Sequence, residues 1–410
     1  PIKSSAASVV YKRQVLSRLS LRVATGYTGN INKTVKPNLM MKYYKNFRIS
    51  DDENYRMGYI NNAPNPKLRW EKTRDVKVAL DFGLWKDRIN GIVEAYWRKS
   101  KDCVTSEYVP VTTGFFNQSY NTSVLQNNGV EFSLSVAVLK SKDYNLSVSA
   151  NVAWNQNKLK KYNSPNTSLA LDKYVGYPMG AVFSGKYEGI DPETGMYKFK
   201  LRPDAVTNKD GYLREPNNYY YYLGTSVAPF TGGFNLNFSY KNIGLSVGGS
   251  YSVKAKMVDN IESPAGYELL SGSKLESIPT PHNDLYRNHL NVKREVRNRW
   301  TPENRTGVKY PRLIDAYGKK LGLDLTNPTL TTITRGALLE DISYLRINTI
   351  ALSYSLPQRV LERINFSSAA LNLTLNNFFT ITKYSGIDPE VPGATYPVSR
   401  SVTIGLNVGF

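Results

Sequence analysis

Two segments with the same sequence, Gly-Ile-Asp-Pro-Glu, carry the acidic side chains best placed for chemistry. One segment sets Asp191 two residues before Glu193, and the other sets Asp388 two residues before Glu390. Carboxylates spaced in this way can bind a cation or share acid–base work. They also suit a turn, because Asp before Pro favours turn initiation and a nearby Gly permits unusual dihedral angles. No nucleophile or base accompanies them in the sequence, so we interpret both segments as turns.

A basic stretch at 286–312 is a second candidate for binding. Its cationic residues are Arg287, Lys293, Arg294, Arg297, Arg299, Arg305, Lys309 and Arg312. Tyr286, Trp300 and Tyr310 lie between them. Such a pattern can bind nucleic acid, an anionic glycan, lipopolysaccharide phosphates or the acidic face of a partner, and a solvated loop is the simplest alternative. The sequence shows no DNA- or RNA-binding module, so we predict no nucleic-acid partner.

Aromatic residues outside the regular elements could form a surface for a large solute. Aromatic rings supply a large rigid contact area, and their faces can stack on sugar rings. The candidates for substrate binding are Tyr108, Phe115, Phe116, Tyr220, Tyr221 and Trp300. Packing against a partner protein is an equally good interpretation of these rings.

The rest of the composition argues against enzymatic and metal chemistry. The 410 residues include two His and one Cys. A single cysteine, Cys103, excludes a disulfide framework and a Cys-based zinc cluster. Two histidines, His282 and His289, leave little room for a His-rich metal site. The sequence also lacks a Gly-rich phosphate loop, an HExxH pattern and a nucleophile elbow. We therefore predict no catalytic residue, no metal site and no cofactor.

Any binding residues must be positioned by strands, because apolar residues recur at every second position. Val402, Ile404, Leu406, Val408 and Phe410 alternate with Ser, Thr, Gly and Asn. Successive side chains of a strand point to opposite faces, so one face is apolar and the other is small or polar. The same alternation predicts ten strands. They are roughly 14–25, 74–85, 88–100, 128–140, 143–156, 231–241, 243–255, 343–356, 368–378 and 400–410.

The strand lengths and their connections favour a membrane barrel over a soluble sandwich. Strands of soluble domains average about 5–6 residues, whereas a tilted membrane-crossing strand needs about 9–11. Tight turns at Lys86–Asp87, Ser141–Lys142 and Asn242 alternate with long segments, as in barrels with short periplasmic turns and long outer loops. The long segments are 26–73, 101–127, 157–230, 256–342 and 379–399. Aromatics near strand ends fit an interfacial belt. They are Tyr27, Trp70, Trp85, Trp97, Tyr144, Trp154, Tyr240 and Tyr354.

A series of short motifs, in a fixed order, resembles one family. The motifs are Pro-Asn-Pro-Lys-Leu-Arg-Trp-Glu at 64–71, Asn-Asn-Gly-Val-Glu-Phe at 127–132, Gly-Ile-Asp-Pro-Glu at 189–193 and 386–390, Leu-Ser-Tyr-Ser-Leu-Pro at 352–357, and Leu-Asn-Asn-Phe-Phe-Thr at 375–380. The set resembles the barrel of SusC/RagA-type TonB-dependent transporters of Bacteroidetes. The similarity runs from about residue 60 to the C-terminus.

The resemblance implies an all-β fold, a transmembrane antiparallel β-barrel of about 22 strands. Residues 1–410 would supply about ten C-terminal strands, and the plug domain and N-terminal strands would lie outside this chain. Because the chain begins at Pro1 without Met, we expect it to be a segment of a longer polypeptide. The location implied is the outer membrane.

The function that the resemblance implies is import of glycans or oligopeptides. The implied partners are a SusD-like surface lipoprotein, TonB-ExbB-ExbD acting through the absent N-terminal part, outer-membrane lipid and lipopolysaccharide, and a second SusCD pair in a dimer. Two alternatives remain, a self-contained ten-strand barrel that acts as an adhesin or anchor, and an outer-membrane hydrolase, which the scarcity of His disfavours. Pairing of strands 14–25 and 400–410 would indicate a closed barrel.

The C-terminus generates a prediction about assembly. The resemblance implies that Phe410, with Val408 and Leu406, forms a signal for the outer-membrane insertion machinery, and the alternative is a strand that merely ends there. Deleting Phe410 should therefore lower the amount of barrel in the outer membrane, measured as surface level. An unchanged level in the deletion variant would count against the signal.

Overall fold

The computed structural model describes an almost entirely β chain. The described residues are 15–31, 35, 38, 40–48, 56–162, 174–193, 195, 197–204, 219–258, 297–309, 335–363, 365–392 and 396–410. Their strands are β1 (Leu16–Asn30), β2 (Met40–Arg48), β3 (Arg56–Asn62), β4 (Glu71–Leu84), β5 (Ile89–Tyr108), β6 (Asn117–Lys140), β7 (Tyr144–Tyr162), β8 (Ala181–Gly185), β9 (Tyr187–Ile190), β10 (Tyr197–Phe199), β11 (Tyr220–Thr225), β12 (Phe230–Tyr240), β13 (Ile243–Val253), β14 (Lys256–Val258), β15 (Leu339–Asp341), β16 (Tyr344–Ser355), β17 (Ser368–Thr382) and β18 (Ser401–Gly409). A short helix, α1 (Gln358–Arg363), precedes β17. None of the helices in these residues is long and apolar enough to cross a membrane.

The chain divides into two compact units, each with five long strands. Unit 1 comprises Pro1–Lys140 with Leu146–Met179, and unit 2 comprises Ser141–Asn145 with Gly180–Phe410. In unit 1 the strand order is β1, β4, β5, β6 and β7, and in unit 2 it is β12, β13, β16, β17 and β18. The ten strands expected from alternation are therefore all present. Their order follows the chain, as expected for strands joined by simple hairpin connections.

The strand register in unit 1 collects the apolar residues into rows on one face. Leu21 pairs with Leu80, and Leu80 pairs with Val93. Val93 in turn pairs with Phe132 on β6. Leu80, in the interior of this row, is 37% exposed, and Leu21, at its end, is 66% exposed. A soluble protein rarely exposes so continuous an apolar surface, but a barrel presents one to lipid. We call this the outer face and the opposite one the inner face.

The apolar stretch along a single strand is about as long as the apolar layer of a membrane is thick. On β4 the outer-face apolar residues run from Val76 to Leu84. These positions span roughly 25–30 Å along a strand, which a tilt of about 35–45° reduces to about 20–25 Å, close to the apolar band of an outer-membrane barrel.

Unit 2 has an outer face built in the same way. Leu245 pairs with Leu352, and Leu352 pairs with Leu373. Ile404 on β18 pairs with Leu373 and extends this row to a fourth strand. The side chains of Ile404 and Leu352 are exposed rather than buried in a core. The shared pattern follows from a period of two in each strand combined with a register that keeps like residues opposite each other.

The aromatic residues expected at the membrane interfaces are accessible. All eight are at least 36% exposed. Tyr144 and Tyr240 lie at the tight-turn ends of β7 and β12, and their rings stack with centroids 5.4 Å apart. Exposed aromatics at strand ends are typical of the region where lipid headgroups meet water.

The long segments contain more strand than the sequence suggested. β5 continues to Tyr108 and β6 begins at Asn117, so most of 101–127 is a hairpin and not a loop. Likewise, 157–230 contains the end of β7 and strands β8 to β11, and 26–73 contains β2 and β3. The long connections therefore contain paired strands of their own, and β5 and β6 extend beyond the bounds predicted for them. A β-bulge at Asp102, which has a φ of 57°, shifts the side-chain period and hides the hairpin from an alternation analysis.

The outermost long strands each have one neighbour. Among the described residues, β1 pairs only with β4, and β18 pairs only with β17. Each strand therefore has a second edge that a further strand could extend. This arrangement is the one expected for part of a larger barrel.

Aromatic rings cover glycines on paired strands. The Tyr96 ring lies over Gly129, where an added Cβ would overlap the ring and come within 2.6 Å of the Trp154 carbonyl oxygen. Phe82 covers its cross-strand partner Gly91 in the same way. A ring over a glycine fills the space that the missing side chain leaves and fixes the register.

This contact predicts a cost for a methyl group at Gly129. In Gly129→Ala the new Cβ would displace the Tyr96 ring and press on a backbone carbonyl, and overpacking of this kind costs about 1–3 kcal/mol. The matched control is Gly26→Ala, because a Cβ at Gly26 meets nothing within 4 Å. Urea unfolding of the full protein in detergent, followed by heat-modifiable gel migration, measures both variants. Equal unfolding free energies would contradict the proposed role of the ring.

Candidate functional site

The inner face of unit 1 carries paired charges. Its ion pairs are Arg22–Asp81 at 2.7 Å, Lys77–Glu94 at 3.2 Å and Arg98–Asp75 at 3.3 Å. These residues alternate along their strands with the exposed apolar rows. Charged side chains on the lipid face of a barrel are costly at the depth of the hydrocarbon, so this face must meet water. It is the wall that a polar solute would contact.

A buried arginine organises the loop end of unit 2. Arg346 on β16 is only 4% exposed, and its Nη2 donates to Asp388 at 2.6 Å. Its Nη1 donates to Glu390, and its Nε donates to the Thr380 hydroxyl at 3.1 Å. The guanidinium carbon also lies 5.5 Å from the centre of the Tyr344 ring. A planar guanidinium can hold two carboxylates in this way because its donors form a rigid fork.

The two Gly-Ile-Asp-Pro-Glu segments are turns of the same kind. Asp191 accepts the backbone N–H of Glu193 at 2.8 Å, and Asp388 accepts that of Glu390 at 2.8 Å. Both are Asx-type turns, so the interpretation as turn chemistry is confirmed. No cluster of His, Cys, Asp and Glu able to hold a metal ion occurs in the part of the chain that the structure describes. The second turn differs from the first because its carboxylates also hold Arg346.

An open cleft of about 970 Å³ lies beside this arginine. Phe379 and Ile381 of β17 line one side, and residues 397–400 line another. Both of these apolar side chains are exposed, and Arg400 adds a cation to the lining. The cleft can take a group that is partly apolar and partly anionic.

Three aromatic candidates lie at the tip of the β5–β6 hairpin. Tyr108 ends β5 opposite Asn117, and Phe116 is 75% exposed. Phe115 is half-buried in the same tip. The tip is closed by backbone hydrogen bonds, including one from Val109 N–H to the Phe116 carbonyl at 3.0 Å. The hairpin therefore presents its aromatic rings to solvent on a rigid support.

A fully buried carboxylate supports that hairpin. Glu107 accepts hydrogen bonds from the hydroxyls of Thr105 at 2.7 Å, Thr122 at 3.4 Å and Tyr162. These donors belong to β5, β6 and the end of β7. The side chain is shielded from water, so its hydrogen bonds are strong and their loss would be costly. The cage joins three strands just below the aromatic tip.

The other aromatic candidates lie in unit 2, and their exposure differs. Tyr220 and Tyr221 are half-buried in β11, and the Tyr221 hydroxyl donates to the Leu201 carbonyl at 2.9 Å. Burial raises the pKa of the neighbouring Tyr219 phenol. Trp300 is only 6% exposed and donates its indole N–H to the Pro192 carbonyl at 2.9 Å. Trp300 therefore braces the first Asx-type turn and does not present an open ring, as a loop platform would require.

Only part of the basic stretch lies within the described residues. Arg297, Arg299, Arg305 and Lys309 are described, whereas Arg287, Lys293, Arg294 and Arg312 lie outside the described residues. The side chains of Arg297 and Arg305 are exposed. His282 and His289 also fall outside the described residues. Cys103, the one cysteine, is buried in β5.

Comparison with known proteins shows which proteins this chain is similar to. No protein-family profile matches the chain. The TonB-dependent receptor SusC of Bacteroides thetaiotaomicron is 26% identical over 427 residues, which cover 97% of this chain and 38% of that protein. The TonB-dependent receptor P26 of Formosa agariphila is 24% identical over 450 residues, or 100% of this chain and 41% of that protein. The structure of the RagAB peptide importer in its closed-closed state matches with a TM-score of 0.75 and 26% identity, over 98% of this chain and 42% of that one.

The resemblance to SusC/RagA-type TonB-dependent transporters is confirmed. The chain spans about two fifths of the length of the curated relatives it matches. Its strands form part of an antiparallel outer-membrane barrel with long extracellular loops and short periplasmic turns. The relatives are receptors and transporters and not enzymes. In a SusC/RagA-type barrel the inner face described above lines the lumen.

Arg346 was not among the binding residues proposed from the sequence. Its partners Asp388 and Glu390 lie 42 and 44 residues further along the chain, so no local pattern connects them. A signal was nevertheless present, since an arginine between Leu345 and Ile347 on a barrel strand must point away from the lipid and find a partner. The two acidic segments were the available partners.

The buried position of Arg346 predicts a large effect of its removal. Arg346→Ala would leave Asp388 buried without its cation, and breaking a buried pair from one side costs about 3–5 kcal/mol. The control is Arg202→Ala, because the Arg202–Asp204 pair is exposed and should contribute little. Thermal unfolding and limited proteolysis of residues 383–400 in the detergent-purified protein measure the effect. Equal proteolysis rates in the two variants would show that Arg346 does not hold this loop.

Proposed function

We propose that the chain forms part of the barrel of a SusC-like channel that imports large nutrients, either glycans or oligopeptides. One observation carries the proposal. The strands present exposed apolar rows on one face and paired charges on the other, across a fold that matches the RagAB peptide importer over 98% of the chain. A wall with these two faces separates lipid from a hydrated passage. Residues 1–410 would then be a C-terminal portion of one barrel domain.

Import would need no covalent step in this part of the protein. The lumen side chains and the loop aromatics would bind the solute reversibly. Tyr108 and Phe116 are the candidates with the most exposed rings, and Phe115 supports them. Tyr220 and Tyr221 offer partial faces, and Trp300 would act indirectly by holding its turn. Phe410, Val408 and Leu406 keep the proposed role in assembly.

The proposal includes partners for the complete protein. A SusD-like surface lipoprotein would cover the extracellular end, and TonB-ExbB-ExbD would supply energy through the part of the protein outside this chain. The similarity to SusC and to a two-component RagAB assembly supports this arrangement. A dimer of such pairs, in contact with outer-membrane lipid, is part of the same proposal.

The alternative of a self-contained adhesin barrel has less support. Such a barrel would pair its first and last strands, whereas β1 and β18 each have a single partner among the described residues. The curated relatives are also named as TonB-dependent receptors.

Growth of a deletion strain tests the proposed import. A strain that lacks the gene for the complete protein should fail to grow on a defined glycan or on oligopeptides as sole carbon source, but should grow on the corresponding monomers. Complementation with Tyr108→Ala/Phe116→Ala should raise the half-saturating nutrient concentration about threefold to tenfold, because two exposed stacking surfaces are removed. Val111→Ala is the control, since Val111 is exposed at the same hairpin tip without an aromatic ring. Normal growth of the deletion strain on every glycan and peptide would refute import.

A further inference from the structure

Four cations cluster on the outer face of unit 1, near the loop end of β4 and at the paired positions of β5. Lys72 pairs directly with Lys101, and Arg74 pairs directly with Lys99. All four side chains are exposed. None of them forms an ion pair with a carboxylate in the described residues. We call this group the outer-face cation cluster.

Alternation along the strands fixes the cluster to the lipid-facing side. Arg74 precedes Val76 by two positions on β4, and Lys99 follows Trp97 by two positions on β5, so they share a face with these outer-face residues. The nearby carboxylate of Asp75 belongs to the inner face and pairs with Arg98.

Two other nearby carboxylates are also engaged, and one of them, Asp102, forms an ion pair with Arg69 at 3.2 Å. Glu71 accepts the Asn30 amide at 2.8 Å and the Val104 backbone N–H at 2.9 Å. The acidic side chains beside the outer-face cation cluster therefore all have other partners.

Cations paired directly opposite each other repel unless an anion binds between them. Directly opposed residues of an antiparallel pair have Cβ atoms about 4.5–5.5 Å apart, and like charges in that position destabilise the pair. Here two like-charged pairs lie next to each other. The contact of Arg74 with the Tyr27 ring, at 6.0 Å, is the one attractive contact between a cation of the cluster and an aromatic ring in the described residues.

The depth of the cluster identifies the anion. The cations begin directly beyond the apolar rows and beside Trp97 and Tyr27, which are exposed as interfacial aromatics are. They also lie on the loop side of the apolar rows, which is the side that faces the cell exterior. This is the level of the headgroups of the outer leaflet.

Strand β7 also carries lysines on the outer face. Lys158 and Lys160 follow Trp154 at even spacing and therefore share its face. The exposed Lys160 widens the basic surface of unit 1 beyond the paired strands.

We propose that the outer-face cation cluster binds the phosphate groups of a phosphorylated glycolipid of the outer leaflet, lipopolysaccharide, with its acyl chains along the apolar rows beginning at Val76. Two phosphates would neutralise the two like-charged pairs, and the apolar rows continue the contact below them. The site goes beyond nutrient import and involves no residue assigned to the substrate. It depends on the position of the barrel in the outer membrane, whether or not the cargo is a glycan.

The test uses the complete protein and a charge-matched control. The site variant is K72Q/R74Q/K99Q/K101Q. The control is K86Q/R88Q/K140Q/K142Q, which removes three lysines and one arginine from exposed positions at the tight turns. Both are purified in mild detergent and reconstituted with lipopolysaccharide, with lipopolysaccharide lacking its lipid A phosphates, or with phosphatidylethanolamine. Native mass spectrometry measures the bound lipid.

We expect lipopolysaccharide binding to require both the four cations and the phosphate groups of the lipid. Each cation near an anionic lipid surface contributes about a fivefold gain in affinity, so the site variant should lose lipopolysaccharide binding by at least about a hundredfold. The control should retain it, and the wild type should discriminate against the dephosphorylated lipid. Equal retention by the site variant and the wild type would overturn the proposal. So would equal binding of the dephosphorylated lipid, or full displacement of the lipid by millimolar inorganic phosphate, which would indicate a site for a soluble anion.

Stability gives an independent check with a defined sign. In lipid-free detergent the site variant should unfold at a higher temperature than the wild type, because like-charge repulsion has been removed. Added lipopolysaccharide should stabilise the wild type and leave the site variant unchanged. If the quadruple variant does not fold, the double variants K72Q/K101Q and R74Q/K99Q, which each remove one like-charged pair, are measured in the same way. Nutrient uptake measured in parallel separates this site from the proposed import, since an absence of uptake by the wild type with lipid binding intact would count against import alone.

Discussion

A chain in hydrocarbon must satisfy every backbone N–H and C=O within its own structure, and this constraint governs the molecule. It requires long strands that are paired in register along their length, as seen from β1 through β6 and from β12 through β18. Once the backbone is paired, side chains alternate between lipid and lumen with no other choice. The apolar rows, the inner ion pairs and the buried Arg346 are consequences of this alternation.

The sequence was sufficient to predict the long strands but not the residues at which they begin and end. A period of two over ten segments predicted all ten long strands, because each membrane-crossing strand has to keep one face apolar throughout. The ends were missed where a bulge shifts the period, as at Asp102 on β5 and at Asn377 on β17. Beyond a bulge the lumen and lipid positions exchange, and the hydrophobic pattern no longer marks the strand.

In the candidate sites too, contacts between neighbouring residues were predictable from the sequence, whereas contacts between residues far apart in the chain were not. The Asx-type turns were predictable, since Asp191 and Asp388 need only residues two positions away. The contact of Arg346 with Asp388 and the opposition of Lys72 and Lys101 depend on strand register, which a single sequence does not specify. The burial of Trp300 follows from a contact with Pro192, 108 residues earlier, and no local signal marks it.

The burial of Cys103 has a practical consequence. The thiol is the one cysteine in 410 residues and is packed inside β5, so maleimide or nitroxide reagents would find little to react with on the native surface. A cysteine introduced at the hairpin tip would then be the dominant point of attachment for a fluorophore or spin label. A label attached there would report on the surroundings of the exposed Phe116 ring.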